Sequence, residues 1–378
     1  EREEIEPYHD RGREVVADGL GEEKLRRLHR HLAETLEASG RADPETLAMH
    51  FQATEDERAH AYAVSAARRA ERALAFTRAA RLYRLALDLM PPPPEQRPQS
   101  PESPAAGADR YALKVSLGEA LGNAGRSRDA AETFLDAVGS GTIADPFEAQ
   151  RSAAEKLLIS GHIDRGLAVL GHVLRTAGME FQRRPWRSLL HLWWLRLRLR
   201  MRGFDFTERE EKDLPQAALR RIDVCWSAEV GLCLVDALHA SEFHARHLLL
   251  ALEAGEPQRV ARGLALEVFF GAMEGESGRP VLERARNLAG RVEGRYAASL
   301  TEMAAGMLAC NKGEWRDARR RLTRAEMYLQ ENRRGVTWEL DTVRQFRALA
   351  ELSLGRWQDL FRRLPTMLEV AREQEDLY

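Results

Sequence analysis

The chain has 378 residues, a formal net charge of -2 and a hydrophobic fraction of 44%. This near-neutral charge gives no overall attraction to nucleic acid or to an anionic membrane, and no apolar run is long enough to span a bilayer. The three cysteines form no Cys-x-x-Cys pair, which argues against a disulfide framework or a zinc site. We therefore expect a cytoplasmic protein that binds neither nucleic acid nor membrane.

Five segments repeat one spacing. A small residue is followed 12, 4 and 3 positions later by a small or apolar residue, a larger apolar residue and another small one. The copies begin at Ala67, Gly118, Ala154, Gly306 and Ala348, and the third and fifth are loose. Small residues let two antiparallel helices approach closely, and the larger residue fills the space beside the next pair. The spacing predicts an all-α fold, a tetratricopeptide-like α-solenoid: a right-handed superhelix of about seven to nine antiparallel helix pairs.

The first 55 residues do not follow this spacing, and we expect them to be the tail of a winged-helix or connector module. A helix is predicted from Glu22 to about Ala38, and Asp43-Pro44 supplies an N-cap followed by proline at the first helical position. The repeat array is predicted to fill residues 56–378.

Residues 91–109 contain nearly half of the 15 prolines in the chain. This composition predicts a disordered, extended loop that separates the first two repeats. A tolerated insertion is the favoured interpretation; a motif for a proline-reading domain is the alternative.

The segment from Trp186 to Arg202 is both basic and aromatic. Its apolar residues recur at helical spacing and share one face: Leu190, Trp193, Trp194, Leu197 and Met201. One interpretation is a surface for anionic lipid or nucleic acid. The favoured one is an amphipathic helix that buries Trp193 and Trp194, with its arginines solvated or paired to acids of a neighbouring repeat.

Residues 222–262 place charges inside apolar helices, where charges are normally paired across an interface. An ion-pair network between repeats is favoured, and a concave ligand pocket with Trp226 as its aromatic wall is the alternative. The stretch from Gly335 to Asp341 allows the same two interpretations. The candidate surface for a partner or effector consists of Trp226, Asp236, Arg246, Arg259 and Trp338.

Catalytic motifs are missing from the sequence. It contains no phosphate-binding Gly-Lys-Ser/Thr, no kinase His-Arg-Asp or Asp-Phe-Gly, no His-Glu-x-x-His and no Gly-x-Ser-x-Gly. His29 and His31 lie two positions apart on a helix and point to different faces, which disfavours a shared metal. We expect no catalytic residue, metal or cofactor in this chain; an α/α-barrel enzyme, which is also built from helical hairpins, is the enzymatic alternative.

Several segments resemble one junction in large bacterial signalling proteins, between a STAND-type AAA ATPase module and its C-terminal tetratricopeptide-like repeats. They are Tyr8-His9-Asp10-Arg11, the sequence from Leu28 to Ala33 and that from Leu47 to Phe51. Residues 73–83 look like the first repeat of that array. Further segments resemble the subset in which a serine/threonine protein kinase domain precedes the ATPase: 223–227, 246–252 and 338–341.

The resemblance implies that the chain is the non-catalytic sensor and scaffold region of a longer signalling protein. That parent would bind ATP or ADP with Mg²⁺ in upstream ATPase or kinase domains, and these would be partners of the repeats in cis. The concave surface would bind a protein or a small effector. His9 would correspond to a histidine that senses ADP, or would pack locally instead, since Tyr8 replaces the methionine of the better-known motif. A stand-alone protein–protein adaptor is the alternative function.

Overall fold

The computed structural model describes residues 20–90, 104–139, 145–182, 184–273, 278–331 and 334–373. These residues form 17 α-helices and no strand. The all-α prediction is thus confirmed, and the packing of successive helices on one another is consistent with an α-solenoid. None of the described helices is both long enough and apolar enough to cross a membrane. The contacts divide the chain into two compact units, residues 1–120 and residues 121–378.

The described residues of the first unit form four complete helices before residue 91: α1 (Glu22–Ser39), α2 (Pro44–Ala53), α3 (Arg58–Arg72) and α4 (Phe76–Asp88). As predicted, α2 begins with proline directly after Asp43. The repeat spacing works here as expected, because Ala67 of α3 is fully buried together with Ala79 and Ala86 of α4. The predicted domain boundary near residue 55 falls between α2 and α3, which pack on each other within this unit.

Helix α5 (Pro104–Asn123) begins earlier than the sequence predicts. Residues 104–109 were expected to belong to the proline-rich loop, but they form the first turns of this helix. The physical reason is that proline fits the first helical position, where its missing N–H has no helical partner to lose. The remainder of the predicted loop, residues 91–103, lies outside the described residues.

The second unit holds the helices that follow and one short 3₁₀ turn, Glu211–Asp213. The helices are α6 (Ser127–Gly139), α7 (Phe147–Ile159), α8 (Ile163–Thr176), α9 (Pro185–Arg202), α10 (Gln216–Leu232), α11 (Ala237–Ala254), α12 (Pro257–Met273), α13 (Gly278–Ala289), α14 (Tyr296–Asn311), α15 (Trp315–Glu331), α16 (Thr337–Ser353) and α17 (Trp357–Glu373).

In this unit the first helices of successive hairpins form one layer. Helix α7 packs on α10, α12 on α14 and α14 on α16, while the second helix of each hairpin packs on its own partner. The layer curves until α16 meets the end of α5: the Thr337 hydroxyl donates to the Gly122 carbonyl at 3.0 Å, and the Gly335 N–H donates to the Asn123 side chain at 2.5 Å. Polar side chains of the first layer therefore converge inside this turn.

The repeat spacing accounts for the tight helix pairs. At Gly306 in α14, an added Cβ would lie 2.7 Å from the Leu322 side chain of α15, and Leu322 is fully buried. The fifth copy of the spacing, which begins at Ala348, is less buried, and Leu364 within it is 36% exposed. Its second helix, α17, packs mainly on α16.

Helix α9 interrupts the series of hairpins. It packs on α11, and α11 in turn packs on α10 and α12, so α11 is covered on several sides. The loop that leads from α9 back to the array passes close to Gly255, where a Cβ would lie 2.0 Å from the Thr207 carbonyl oxygen. Gly255 also has φ +83, so glycine is required there both by backbone conformation and by space.

Candidate functional site

The residues predicted as an effector surface all lie in the second unit, but they face different neighbours. Trp226 and Arg259 lie near each other, on α10 and α12. Asp236 caps the start of α11 by accepting from the His239 N–H at 3.1 Å. Arg246 faces the α9 side, where it donates to the Glu180 carbonyl at 3.0 Å and to Glu242. Trp338 packs against the core of the unit, and His9 lies outside the described residues.

Asp223 is the centre of the ion pairs around Trp226. It accepts from Arg259 at 2.7 and 3.0 Å and from Arg262 at 2.8 Å. The Arg262 guanidinium also lies 4.4 Å from the centre of the Trp226 ring, which is only 7% exposed. Burial opposes ionisation of Asp223, but the two arginines hold its pKa below the usual range. This geometry matches the ion-pair interpretation that the sequence favoured.

A second group of polar side chains converges inside the turn of the first layer, and we call it the inner polar cluster. Arg151 of α7 donates to the Ser227 hydroxyl at 2.6 Å, and that hydroxyl donates to Glu155 at 2.6 Å. Lys156 lies 3.4 Å from the other oxygen of Glu155. Tyr296 of α14 and Glu339 of α16 complete the cluster.

Glu339 is the member with the most perturbed acidity. Its carboxyl group is 3% exposed and accepts from the Tyr296 hydroxyl at 2.5 Å. Burial raises the pKa of Glu339 to about 7, although the Tyr296 hydrogen bond and the nearby Lys156 act in the opposite direction. This carboxyl group therefore keeps its proton to a higher pH than an exposed glutamate does.

The underside of α9 is joined to α10, α11 and α12 by a chain of ionisable groups, which we call the buried His–Glu chain. Arg196 of α9 donates to both oxygens of Glu267 at 2.8 and 3.0 Å, and Glu267 lies 2.8 Å from His244 Nε2. Glu229 lies 2.8 Å from His244 Nδ1 and 3.1 Å from His247 Nδ1. Both histidines are fully buried, and both glutamates are 1% exposed.

The electrostatics of this chain are those of paired buried charges. Burial disfavours a charged His244, but Glu229 and Glu267 outweigh it and raise the pKa of His244 to about 9. Burial likewise disfavours a charged Glu229, whose pKa is nevertheless lowered to about 2 by the two histidines. Burial is also the main reason why the pKa of His247 is lowered. His247 Nε2 is buried and has no hydrogen-bond partner among the described residues.

Further polar contacts hold the same side of α9 against α11. Ser188 bonds to His239 at 3.0 Å, and His191 bonds to Glu242 at 2.8 Å. Arg202, at the end of the helix, donates to the Leu252 carbonyl at 3.0 Å. The side of α9 that faces the protein is thus mixed: these polar contacts lie beside Leu195 and Leu199, which are buried in the hydrophobic core.

The opposite side of α9 is apolar and faces solvent. The exposed fractions reach 70% for Trp193, 50% for Trp194 and 74% for Met201. The remaining large apolar residues of this face are also at least 40% exposed: Trp186, Leu189, Leu190 and Leu197. A groove of about 390 Å³ runs along it beside Trp193. We call this surface the α9 apolar face.

The sequence prediction for this helix was half right. Arg196 and Arg198 pair with acids of neighbouring helices, as expected, with Arg198 lying 2.6 Å from Glu253. The predicted burial of Trp193 and Trp194 is wrong. The physical reason is that α9 has apolar residues on both sides: the side with Leu195 and Leu199 packs inward, where Ser188, His191 and Arg196 also find polar partners on α11 and α12, and the side with Trp193 is left outside.

Sequence reasoning missed the buried His–Glu chain. Its only local signal is the spacing of His244 and His247, which are three positions apart and therefore on one face of a helix. Glu229 and Glu267 come from two other helices, and no spacing rule connects them to these histidines.

The chain was compared with protein-family models and with curated proteins. No family model matches it, and no curated protein shows significant similarity to it.

Proposed function

We propose that this chain is a non-catalytic helical-repeat scaffold that binds a protein partner through the α9 apolar face. The supporting observation is that this one helix exposes seven large apolar side chains while its other side is bonded to the protein. Contiguous exposed apolar patches on proteins typically mark interaction sites. Tryptophan is also the residue type that most often dominates the energy of a protein interface.

Charge indicates the chemistry of the partner. Helix α9 carries arginine at positions 187, 196, 198, 200 and 202 and no aspartate or glutamate, and it stays net positive after Arg196 and Arg198 pair with Glu267 and Glu253. A second copy of this chain would bring two such basic helices together, which like-charge repulsion disfavours. An amphipathic helix with an apolar face and acidic flanks complements the surface in both respects, and a helix in an apolar groove is a common mode of recognition.

The resemblance to STAND-type ATPases supplies the proposed setting. In that setting the repeats are the sensor arm of a cytoplasmic signalling protein, and a bound partner or effector biases the upstream nucleotide-binding domains. The concave side, with the inner polar cluster, remains the proposed place for a small effector. A phosphate-binding Gly-Lys-Ser/Thr motif encoded upstream of Glu1 would support this setting. A gene that encodes no such motif would contradict it and would favour the stand-alone adaptor.

The binding proposal is tested with two synthetic amphipathic helical peptides that share one leucine face. One carries glutamate on its flanks and the other carries lysine. By titration calorimetry we expect the glutamate peptide to bind and the lysine peptide to bind far more weakly. Trp193→Ala should weaken binding by about 2 kcal/mol, roughly thirtyfold in Kd. Trp357→Ala is the matched control, because Trp357 is 52% exposed on α17, a different helix.

Three outcomes would contradict the proposal. Equal affinity for the two peptides would remove the electrostatic argument. Dimerisation in analytical ultracentrifugation that Trp193→Ala abolishes would identify a second copy as the occupant. Binding to phosphatidylglycerol vesicles with no binding of the glutamate peptide would identify a membrane surface.

A further inference from the structure

The buried His–Glu chain places three metal-binding side chains around one point. The side chains of Glu229, His244 and His247 each offer a ligand atom, and these atoms all lie within 4.8 Å of one another. Both histidines direct Nδ1 toward the same carboxylate, at 2.8 and 3.1 Å. Two imidazole nitrogens and a carboxylate form a ligand set typical of zinc and related transition-metal ions, and unlike the all-oxygen sets of Ca²⁺ and Mg²⁺.

The ligand atoms would need to move apart only slightly to bind an ion. Zinc binds histidine nitrogen and carboxylate oxygen at about 2.0–2.2 Å, which separates neighbouring ligand atoms by roughly 3.3 Å in tetrahedral geometry. The Nδ1–oxygen distances at Glu229 are a few tenths of an ångström shorter. The ion would lie between Glu229 and the two Nδ1 atoms and replace their direct contacts.

The groups beyond these three side chains have the arrangement that metal-binding histidines usually require. A ligating histidine commonly donates its other ring N–H to a carboxylate, which fixes the ring and its tautomer. His244 Nε2 lies 2.8 Å from Glu267, and Arg196 fixes Glu267 by donating to both of its carboxylate oxygens. His244 is thereby oriented with Nδ1 toward Glu229.

A purely structural role accounts less well for the same residues. Burying several ionisable groups gives little net stability, and well-packed apolar residues in their place are often neutral or more stable.

We propose that Glu229, His244 and His247 bind a divalent transition-metal ion of the zinc class. The ion would join α10 to α11 in the core of the second unit. Since these side chains are 0–1% exposed, the ion would enter during folding and leave only when the site opens. These three side chains would leave a fourth coordination position for another ligand, and none of them belongs to the α9 apolar face.

The first test is the metal content of the protein after expression with zinc, removal of any affinity tag and dialysis against a chelator. We expect about one zinc ion per chain by elemental mass spectrometry, and loss of that ion in Glu229→Gln and in His247→Gln. His239→Gln should keep the ion. His239 is a matched control because it lies on the same helix, is 6% exposed, and bonds to Asp236 and Ser188 instead of Glu229.

The second test needs no variant and so does not depend on whether a variant folds. The wild-type protein is unfolded with chelator and refolded with Co²⁺, with Mg²⁺ or with no metal. Visible absorption bands of four-coordinate Co²⁺ and a higher melting temperature with Co²⁺ than with Mg²⁺ would support the site. Wild-type protein that contains no zinc and refolds identically in all three conditions would overturn the proposal, as would equal zinc content in wild type and His247→Gln.

Discussion

Replacing Glu339 by Gln tests whether the inner polar cluster contains a carboxyl group that titrates near neutral pH. Glu339 is 3% exposed and accepts a hydrogen bond from Tyr296. Burial raises its pKa from 4.5 to about 7; Tyr296 and Lys156 lower it, and Glu155 raises it further. Gln has nearly the shape of the protonated carboxyl group but does not ionise, so the variant isolates the cost of ionising this one side chain.

The sign follows from the direction of the pKa change. Because the pKa of Glu339 is higher in the folded than in the unfolded protein, the folded state binds more protons between these two values. This stabilisation is complete below pH 4.5 and is lost as the pH rises through about 7. One pKa unit corresponds to about 1.4 kcal/mol, so the wild type loses about 2–3 kcal/mol between pH 5 and pH 8 through this group. Glu339→Gln should gain that amount relative to wild type over the same interval.

The assay is urea unfolding of both proteins at pH 5 and pH 8 at constant ionic strength. Tryptophan fluorescence reports only on the second unit, since all seven tryptophans lie within residues 121–378. Other titrating groups are common to both proteins and cancel in the difference. Tyr296→Phe removes a hydrogen bond that lowers the pKa of Glu339, so it should move the loss of stability to higher pH. Parallel stability curves for wild type and Glu339→Gln would refute the reasoning.

Two further predictions concern packing and the thiols. Gly306→Ala should destabilise the second unit by about 1–3 kcal/mol, because its Cβ would lie 2.7 Å from Leu322. Gly171→Ala in α8, where a Cβ would meet nothing within 4 Å, should instead stabilise it by about 0.5–1 kcal/mol; urea unfolding of both variants checks the pair. Burial raises the pKa of the thiols of Cys225, Cys233 and Cys310. We therefore expect none of the three to react readily with Ellman's reagent at pH 8 until the protein is denatured. Rapid reaction of a native thiol would contradict this.

The sequence was sufficient where the determinant is local or repeats along the chain. Asp43-Pro44 predicted the start of α2 because proline fits the first helical position. The Asp43 side chain makes no capping hydrogen bond and accepts from Arg69 at 3.0 Å instead. The spacing that begins at Gly306 predicted a close helix pair, since a glycine opposite a leucine is a property of two adjacent helices. The start of α5 was misplaced because Pro104 is compatible both with a proline-rich loop and with a first helical turn.

The sequence was insufficient where a residue's environment comes from distant helices. The periodicity of α9 revealed the apolar face with Trp193, but whether that face or the one with Leu195 and Leu199 packs inward depends on the partners that α11 and α12 present. For the same reason the raised pKa of Glu339 had no local signal, because the groups around it come from α7 and α14. The sequence predicted that buried charges would be paired, because an unpaired charge inside a helix layer is costly. It did not predict which residues pair with Asp223.

The two sides of α9 are set by different requirements. Folding uses the inner side, since Arg196 pairs with the buried Glu267 of α12, and Leu195 and Leu199 pack into the core. It places no comparable demand on the outer side, because Trp193 and Met201 are at least 70% exposed and contribute little to the core. Polar residues at those positions would leave every contact of the underside in place and would lower the risk of aggregation. An apolar outer side is therefore a cost to the isolated chain, and the binding of a partner supplies a physical reason for it.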